Sequence, residues 1–281
     1  MVLKKFMTRY NVVIFGGASG FGKQLVDLIE KRSNSKIFVF GVNKPLNVSK
    51  NINFFKCDLT SFSDISKTLK FIIKKLKKID ICIFNSGRIY LSKKFVGDYE
   101  KTFLVNFLSQ FLILSILVNI KKLLPKKVIL ISSHVVFKNN FKINDFQSIK
   151  SYNFWKSYKN SKFLIYSSFS SLYKKNKKLK FIIFDPGRIN TNFGTNIFLL
   201  GPVFKLYNNL FGSNPTNIAL RLFNFLRKKK NKKGYFKLLD RNGISSKKLI
   251  IKDEYEIFIA ANKLLKKLII QLKLEGLLNF K

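Results

Sequence analysis

The sequence predicts an α/β fold built on a doubly wound parallel sheet. Six short apolar runs rich in β-branched residues are each too short for a helix, and polar residues or glycines bound them. Segments with helical length and spacing separate these runs, and such alternation is typical of parallel sheets with helices on both faces. The 281 residues, 47% of them hydrophobic, suffice for one substantial core, so we expect a single domain over 1–281.

The predicted elements follow one another in regular order. Strands are expected at 11–15, 36–40, 52–55, 79–84, 127–131 and 179–184, and helices at 20–31, 63–77, 98–121 and 158–174. Beyond residue 186 the pattern loosens into turns at 201–202 and 213–215. A helix near 216–229, a short strand near 234–238 and a final basic helix at 254–274 complete the chain. We expect residues 196–281 to form a small lobe over the edge of the sheet that binds ligands.

The net charge of +40 and the isoelectric point near 10.3 raise the question of a polyanionic partner. A charge of this size steers a protein toward nucleic acid or anionic membranes. The basic residues are scattered, however, whereas a nucleic-acid interface needs a concentrated face. Abundant Lys, Phe, Ile and Asn indicate a compositional bias, so we expect no nucleic-acid partner. A peripheral membrane or RNA-associated protein is the alternative that the charge and the basic final helix motivate.

Cysteine and histidine usage limits the possible chemistry. Cys57 and Cys82 lie in apolar stretches and provide neither a disulfide framework nor metal-ligand spacing, which fits a reducing cytoplasm. His134 is the only histidine, which excludes multi-histidine metal sites, and we expect no metal. A hydrolase built on Ser133 and His134 would also need a suitably placed acid. Residues 1–10 lack the apolar core of a secretory signal, so we expect a cytoplasmic location.

The apolar segment 103–120 is long enough to suggest a membrane span. Asn106, Ser109, Gln110 and Asn119 interrupt it, and such groups are costly at the bilayer centre. We therefore predict a helix buried in the protein and no membrane span.

A glycine-rich turn follows the first strand. The strand runs directly into Gly16, Gly17, Ser19, Gly20 and Gly22, and a helix begins there. Glycines let a phosphate approach the backbone, and the helix N-terminus supplies unpaired N–H groups and positive potential. The segment predicts a dinucleotide-binding site, although any tight turn between a strand and a helix can contain glycines.

Two Tyr-x-x-x-Lys pairs suit hydride chemistry. Hydride transfer to a carbonyl leaves an alkoxide, which needs a proton donor. A tyrosine beside a lysine supplies one, because the ammonium favours the phenolate and lowers the tyrosine pKa from about 10. Tyr152 with Lys156 and Tyr158 with Lys162 each share a helix face. We choose Tyr158 and Lys162, which open the apolar helix, whereas Tyr152 lies in the preceding loop.

Several motifs in sequence order resemble those of the short-chain dehydrogenase/reductase family over residues 10–195. They are Gly16-x-x-x-Gly20-x-Gly22, Cys57-Asp58-Leu59, Phe84-Asn85-Ser86-Gly87, Tyr158-x-x-Ser161-Lys162 and Asp185-Pro186-Gly187 through Thr191. The chain departs from the family at Phe15, where the family usually has Thr, and at Phe84 and Ser86 of its Asn-Asn-Ala-Gly motif. The resemblance implies a Rossmann fold and an NAD(P)-dependent oxidoreductase that acts on an alcohol or a carbonyl.

The resemblance also implies roles for individual residues. Ser133 polarises the substrate oxygen, Tyr158 and Lys162 transfer the proton, and Asn106 holds a water near the lysine. Asp58 contacts the adenine ring, and the segment from Pro186 to Thr191 flanks the nicotinamide. The implied cofactor-binding residues are Gly16, Ser19, Gly20, Phe21, Gly22, Asp58, Leu59, Asn85, Gly87, Tyr158, Lys162, Pro186, Gly187 and Thr191.

The end of the second strand distinguishes NADP from NAD. An acidic residue there would bind the ribose 2′-hydroxyl, and a basic residue would accept the 2′-phosphate. Residues 41–44 contain no acid and end in Lys44, so we expect NADP in preference to NAD.

A narrower resemblance concerns the substrate. The 25 positions from Ser133 to Tyr158 (158 − 133), together with features at 97–106, 234–236 and 253–254, look like the branch that contains retinol dehydrogenases and protochlorophyllide reductases. That similarity implies a bulky apolar substrate. The alternative is a non-catalytic NADP-binding regulatory or scaffold protein of the same fold, which Phe15 and Phe84 motivate. The sequence leaves open whether the chain forms a homo-oligomer.

Overall fold

A computed structural model describes residues 9–45, 49–137, 141–150, 152–190, 201–227, 235–246, 251 and 253–274. One eight-stranded sheet carries the fold, in the order β10-β9-β8-β7-β4-β1-β2-β3. All neighbours in it pair in parallel except β10, which is antiparallel to β9. The strands are β1 (Asn11–Phe15), β2 (Lys36–Gly41), β3 (Ile52–Lys56), β4 (Ile81–Phe84), β7 (Lys127–Ile131), β8 (Lys180–Phe184), β9 (Tyr235–Leu239) and β10 (Ser245–Ser246), with a separate hairpin of β5 (Phe95–Val96) and β6 (Tyr99–Glu100).

Helices cover both faces of this sheet. They are α1 (Gly20–Arg32), α2 (Phe62–Lys75), α3 (Lys101–Phe103), α4 (Ser109–Asn119), α5 (Phe154–Lys175), α6 (Gly201–Phe211), α7 (Pro215–Arg227) and α8 (Glu254–Gln271). Alternate residues of β1 point to opposite faces, as the pleat of a strand requires. Val12 and Ile14 pack with α1 and α7, whereas Val13 and Phe15 belong to the larger core with α2, α4, α5 and α8. The predicted doubly wound fold is confirmed.

The long apolar segment is buried, as predicted, but its helix begins later than expected. Residues 99–100 pair in the β5–β6 hairpin, and the Glu100 side chain caps the helix by accepting from the N–H groups of Thr102 and Phe103 at 2.9 and 2.8 Å. A π-helical turn, Leu104–Leu108, joins α3 to α4. The helix Lys101–Asn119 is long and apolar enough to cross a membrane, yet 89% of its apolar window is buried inside the protein.

The part of the chain beyond residue 196 does more than form a lobe over the sheet edge. Strand β9 extends the sheet beyond β8, α7 packs on α1, and α8 packs on α4 and α5. Helix α6 was not predicted. Its following residue Ser213 pairs with the segment after β8, where the Ser213 N–H donates to the Arg188 carbonyl at 3.0 Å. That contact places the end of α6 at the carboxyl edge of the sheet.

Candidate active site

The glycine-rich turn is pressed tightly against the end of β4. Gly16 has φ +84°, and a Cβ there would lie 2.7 Å from the Ser86 nitrogen. A Cβ on Gly22 would lie 2.0 Å from the Gly16 carbonyl oxygen, to which the Asn85 side chain donates at 2.6 Å. Only glycine fits these two positions. Ser19 caps α1 with extended backbone and is exposed, and its hydroxyl makes no capping hydrogen bond. The turn and the first N–H groups of α1 therefore fit a dinucleotide pyrophosphate.

Four phenylalanines form a ladder beneath this turn. Phe84, Phe15, Phe40 and Phe55 lie in register on β4, β1, β2 and β3. Successive rings stack with centroids 5.3, 5.1 and 5.3 Å apart. Aromatic packing of this kind contributes beyond the apolar area that it buries. Two of the three departures from the family motifs, Phe15 and Phe84, thus stack on each other where polar side chains were expected.

The adenine end of the predicted site has a polar rim and an apolar base. Asp58 Oδ1 accepts from the N–H and the hydroxyl of Thr60, each at 2.8 Å. The Leu59 side chain is buried in the core, and the Leu59 carbonyl accepts from Ser109 at 2.7 Å. At the end of β2, a Cβ on Gly41 would lie 3.6 Å from the Ala18 side chain. Lys44, three residues after the end of β2, is exposed.

Tyr158 lies in the first turns of α5, where Ser133 meets it from the end of β7. The phenol hydrogen-bonds the Ser133 hydroxyl, and the ring is only 6% exposed. Burial raises the Tyr158 pKa above its usual value, and the Asp185 carboxylate also raises it, while the Ser133 hydrogen bond lowers it. The phenol therefore keeps its proton at neutral pH.

Lys162 lies one helical turn further along α5 and is 4% exposed. Its Nζ donates to the Ile131 carbonyl at 3.3 Å and would lie 3.4 Å from a Cβ on Gly87. Burial lowers the Lys162 pKa to about 8, because the desolvated ammonium loses its hydration. The same side chain thus lies beside the ends of both β4 and β7.

Asn106 lies in the π-helical turn and joins the catalytic helix to the loop after β4. Asn106 Oδ1 accepts from the Arg88 N–H, and Nδ2 donates to the Arg88 carbonyl, both at 2.8 Å. Asn106 Nδ2 also approaches the Ser161 hydroxyl at 3.1 Å. Isolated π turns are frequent at functional sites.

Together, the contacts described above bring Asn106, Ser133, Tyr158 and Lys162 to one edge of the sheet.

The competing pair makes different contacts. The Tyr152 hydroxyl donates to the Tyr90 carbonyl at 2.6 Å, and Lys156 Nζ contacts Asp145 Oδ2 at 3.2 Å. Tyr152 is therefore part of the packing between two loops, and Lys156 forms an ion pair with the buried Asp145.

The segment after β8 completes the described site. Gly187 has φ +66°, and its N–H donates to Asp185 Oδ1 at 2.9 Å, which fixes the turn around Pro186. Burial raises the Asp185 pKa. Thr191, predicted as a cofactor contact, lies outside the described residues.

Sequence reasoning missed three residues at this edge. Gln110 Nε2 donates to the Ser86 carbonyl at 3.1 Å and to the π-turn carbonyls of Val105 and Asn106 at 2.9 and 3.2 Å. Trp155 stacks on Tyr158 with centroids 5.5 Å apart and an interplanar angle of 25°. Asp185, which the sequence analysis placed only at the start of the Pro-Gly motif, raises the pKa of Tyr158. A polar residue in an apolar helix and the single tryptophan one turn before Tyr158 were the signals available.

A parallel sheet with a glycine turn after β1, and with Ser133 beside the buried Tyr158 and Lys162 at its carboxyl edge, defines a dinucleotide-binding α/β protein. Comparison with known proteins makes the class more specific. The short chain dehydrogenase family model matches residues 10–199. The chain belongs to the short-chain dehydrogenase family.

Individual relatives are distant. Short-chain dehydrogenase reductase 3a of Arabidopsis thaliana is 28% identical over 104 residues, which are 34% of this chain and 40% of that protein, so the match spans less than half of the plant relative. A short chain dehydrogenase family protein from Francisella tularensis superposes with TM-score 0.57 at 21% identity, covering 83% of this chain and 98% of its own. A short chain dehydrogenase from Leptospira borgpetersenii with bound NAD+ superposes with TM-score 0.61 at 17% identity, covering 86% of this chain and 96% of its own.

Proposed function

We propose that this protein is an NAD(P)-dependent oxidoreductase that interconverts an alcohol and a carbonyl compound. The observation that carries the proposal is the contact of the buried Tyr158 phenol with the Ser133 hydroxyl, beside Lys162 and Asn106. These groups lie at the edge of the sheet where the glycine turn fits a dinucleotide. Membership of the short-chain dehydrogenase family supports the same proposal.

The nicotinamide would supply or accept the hydride, and the chain's own residues would manage the proton. In carbonyl reduction Tyr158 donates its proton to the substrate oxygen, and its raised pKa keeps that proton in place beforehand. The Ser133 hydroxyl lies within reach of the same oxygen and stabilises its developing charge. Lys162 holds positive charge near the phenol while its ammonium is protonated. Asn106 keeps the loop after β4 next to Lys162 through its two hydrogen bonds to Arg88.

For the cofactor we propose NADP in preference to NAD. The glycine turn and Ser19 would hold the pyrophosphate, and Asp58 would face the adenine. Lys44 is exposed at the end of β2, beside the turn, and no acid occurs at 41–44 to contact a ribose hydroxyl. Among the structural neighbours, one from Leptospira borgpetersenii is described with NAD+ and one from Burkholderia multivorans with NADP, so the fold accommodates either.

For the substrate we propose a bulky apolar molecule, as in the branch of retinol dehydrogenases and protochlorophyllide reductases. Trp155 is 39% exposed while it stacks on the catalytic ring, which leaves an aromatic surface beside the reacting oxygen. Helix α6 adds apolar side chains at the same edge of the sheet. Val203, Leu206, Leu210 and Phe211 are 61–66% exposed, which is unusual for four residues of one short helix.

We further propose a cytoplasmic location with no nucleic-acid partner. Cys57 and Cys82 are free and buried, and burial raises both pKa values, that of Cys57 to about 11. Unpaired thiols fit a reducing compartment.

Tryptophan fluorescence tests the proposal, because Trp155 is the only tryptophan. Reduced nicotinamide absorbs where indole emits, so NADPH and NADH titrations should quench Trp155 emission, with NADPH binding more tightly. A panel of aromatic and long-chain aldehydes and alcohols should then show turnover. Absence of quenching contradicts the cofactor proposal, and tight binding without turnover of any compound favours the non-catalytic alternative.

A further inference from the structure

Arginine is distributed differently from lysine in this chain. Only seven of the 54 basic residues are arginines, and they are Arg9, Arg32, Arg88, Arg188, Arg221, Arg227 and Arg241. Arg88 follows β4, Arg188 follows β8, and Arg241 follows β9, so three of them lie at the carboxyl edge of the sheet. Arg221, on α7, lines the same cavity as Arg241. Because lysine is by far the commoner basic residue in this chain, the grouping of arginines at this edge indicates a site that uses the geometry of the guanidinium group.

Arg221 and Arg241 line a cavity of about 380 Å³. Among the residues that the structure describes, the rest of its lining consists of three asparagines, Ser213 and one apolar residue, Ile218, with no carboxylate. Both arginines are exposed, and the Asp240 carboxylate accepts from the N–H of the lining residue Asn242. The lining itself carries two positive charges, which favour an anionic ligand. Guanidinium groups bind carboxylate and phosphate in a bidentate geometry that ammonium groups do not match.

The Arg221 side chain is held in place by a chain of hydrogen bonds. Its Nη1 donates to Asn242 Oδ1 at 2.5 Å, and the Asn242 N–H donates to Asp240 Oδ1 at 2.8 Å. A guanidinium has five N–H donors, so this contact leaves others for a ligand. Positioning by a neighbour reduces the ordering cost of binding.

The cavity adjoins the predicted nicotinamide segment. The Asp185 N–H donates to the Leu239 carbonyl at 2.8 Å, which aligns the turn after β9 with the turn after β8. A Cβ on Gly187 would lie 3.0 Å from Cδ of Arg241, so the arginine stem packs directly on that glycine. On the opposite side, Ser213 bonds the backbone of residues 188–190. A group in this cavity therefore lies next to the segment that precedes Thr191.

We infer that this cavity binds an anionic group, a carboxylate or a phosphate, carried by the substrate. The inference rests on the proposed function and narrows it. The substrate then has an apolar body, which contacts Trp155, and an acidic group, which pairs with Arg221 and Arg241. The alternative ligand for this cavity is a free inorganic anion, which would pair with the same two arginines.

Inorganic phosphate tests the cavity independently of turnover. Calorimetry on the full chain at constant ionic strength should show that Arg221→Met and Arg241→Met each weaken phosphate binding about tenfold or more, since each removes charge-assisted hydrogen bonds. Arg241→Lys keeps the positive charge but loses the bidentate donor geometry of the guanidinium, and it should also weaken phosphate binding. Arg227→Met, at the far end of α7, is the matched control and should change nothing. Equal losses in the control, or no loss in the cavity variants, would overturn the site.

Matched substrates distinguish the two sources. An aryl aldehyde that carries a carboxylate on a short alkyl chain is compared with its methyl ester, both with NADPH. We expect the acid to have a kcat/KM about ten- to a hundredfold higher, and Arg241→Met to lower the ratio of kcat/KM for the acid to kcat/KM for the ester about tenfold or more. Phosphate should inhibit reduction of the acid only. Equal use of acid and ester, with phosphate bound, assigns the cavity to a free anion and overturns the substrate role. If neither compound nor any panel member reacts, the proposed function fails, and the phosphate titration still decides the cavity.

Discussion

The floor of the cofactor turn, which is the ladder of four phenylalanines beneath it, and the proposed catalytic residues differ in how far they depart from the family pattern. Beneath the turn, Phe15 and Phe84 replace polar residues, and stacked rings fill the space. At the catalytic edge Asn106, Ser133, Tyr158 and Lys162 all match the family motifs. The difference has a physical cause. A floor needs only to hold the backbone of the turn, which stacking does as well as hydrogen bonding, whereas proton transfer needs particular atoms with particular acidities.

The largest expected effect tests the catalytic side of this comparison. Tyr158→Phe keeps the ring and its stacking on Trp155 but deletes the proton donor. Turnover should fall by about 10² to 10⁴ in kcat, the range typical of a general acid, while NADPH affinity stays within a few-fold. Steady-state kinetics and fluorescence titration measure the two quantities.

Tyr152→Phe is the matched control for this prediction. It removes a hydroxyl that bonds the Tyr90 carbonyl, Thr102 and Glu100, away from Ser133 and Lys162, so turnover should remain within a few-fold of the parent. Loss of turnover in this variant, with Tyr158→Phe active, would move the catalytic pair to Tyr152 and Lys156.

The next largest effect concerns the floor. Phe15→Thr restores the residue that the family usually has, yet here it removes a ring stacked between Phe40 and Phe84. The free energy of unfolding should fall by about 3 kcal/mol, as for other large-to-small core substitutions, with kcat nearly unchanged below the unfolding transition. Urea denaturation measures the loss.

A double-mutant cycle sharpens the test of the floor. Phe15→Thr combined with Phe84→Asn should cost less than the sum of the single variants, because the two positions are paired across β1 and β4 and their partners are lost together. Additive losses would show that the two rings contribute independently.

A smaller effect concerns pH. The Lys162 pKa is lowered to about 8 by burial, so the ammonium predominates below pH 8 and is lost above it. Carbonyl reduction should therefore decline above pH 8, approaching tenfold per pH unit if the charge is essential, while the raised Tyr158 pKa keeps the phenol protonated. Lys162→Arg retains its charge and should remove this decline from the pH profile of whatever activity remains. A profile identical to that of the parent would assign the decline to another group.

The smallest effect concerns cofactor choice. Lys44→Glu places an acid at the end of β2 and should weaken NADPH binding about tenfold while leaving NADH binding equal or tighter. The Trp155 titration measures both. An equal change for both cofactors would indicate that Lys44 does not contact the 2′-phosphate.

Periodicity was sufficient to predict most of the central elements, because strands buried on both faces and helices with one buried face leave clear patterns. Periodicity failed for elements that do not have a regular pattern of buried side chains. Helix α6 begins at Gly201-Pro202, which resembles a turn, and its apolar side chains remain exposed. The β5–β6 hairpin has only two residues in each strand, so β5 was not predicted and β6 was included in the helix predicted over 98–121.

Local motifs carry the residues proposed as catalytic, so the sequence was enough to select them, and their roles stay a prediction. The cavity could not, since Arg221 and Arg241 lie twenty positions apart and meet only when β9 joins the sheet. The raised Tyr158 pKa was also beyond sequence reasoning, which considered the charge of Lys162 but not the burial of the phenol.

The packing of α8 on α4 and α5 has a consequence for synthesis. Phe258 of α8 contacts Phe111 of α4 with ring centroids 6.1 Å apart, yet α8 begins 135 positions after α4 ends (254 − 119). At about 5 to 20 residues per second, a ribosome needs roughly 7 to 27 s to cover that interval. Throughout it the nascent chain carries an uncovered apolar surface at the centre of its larger core, which is when a chaperone would have most to bind.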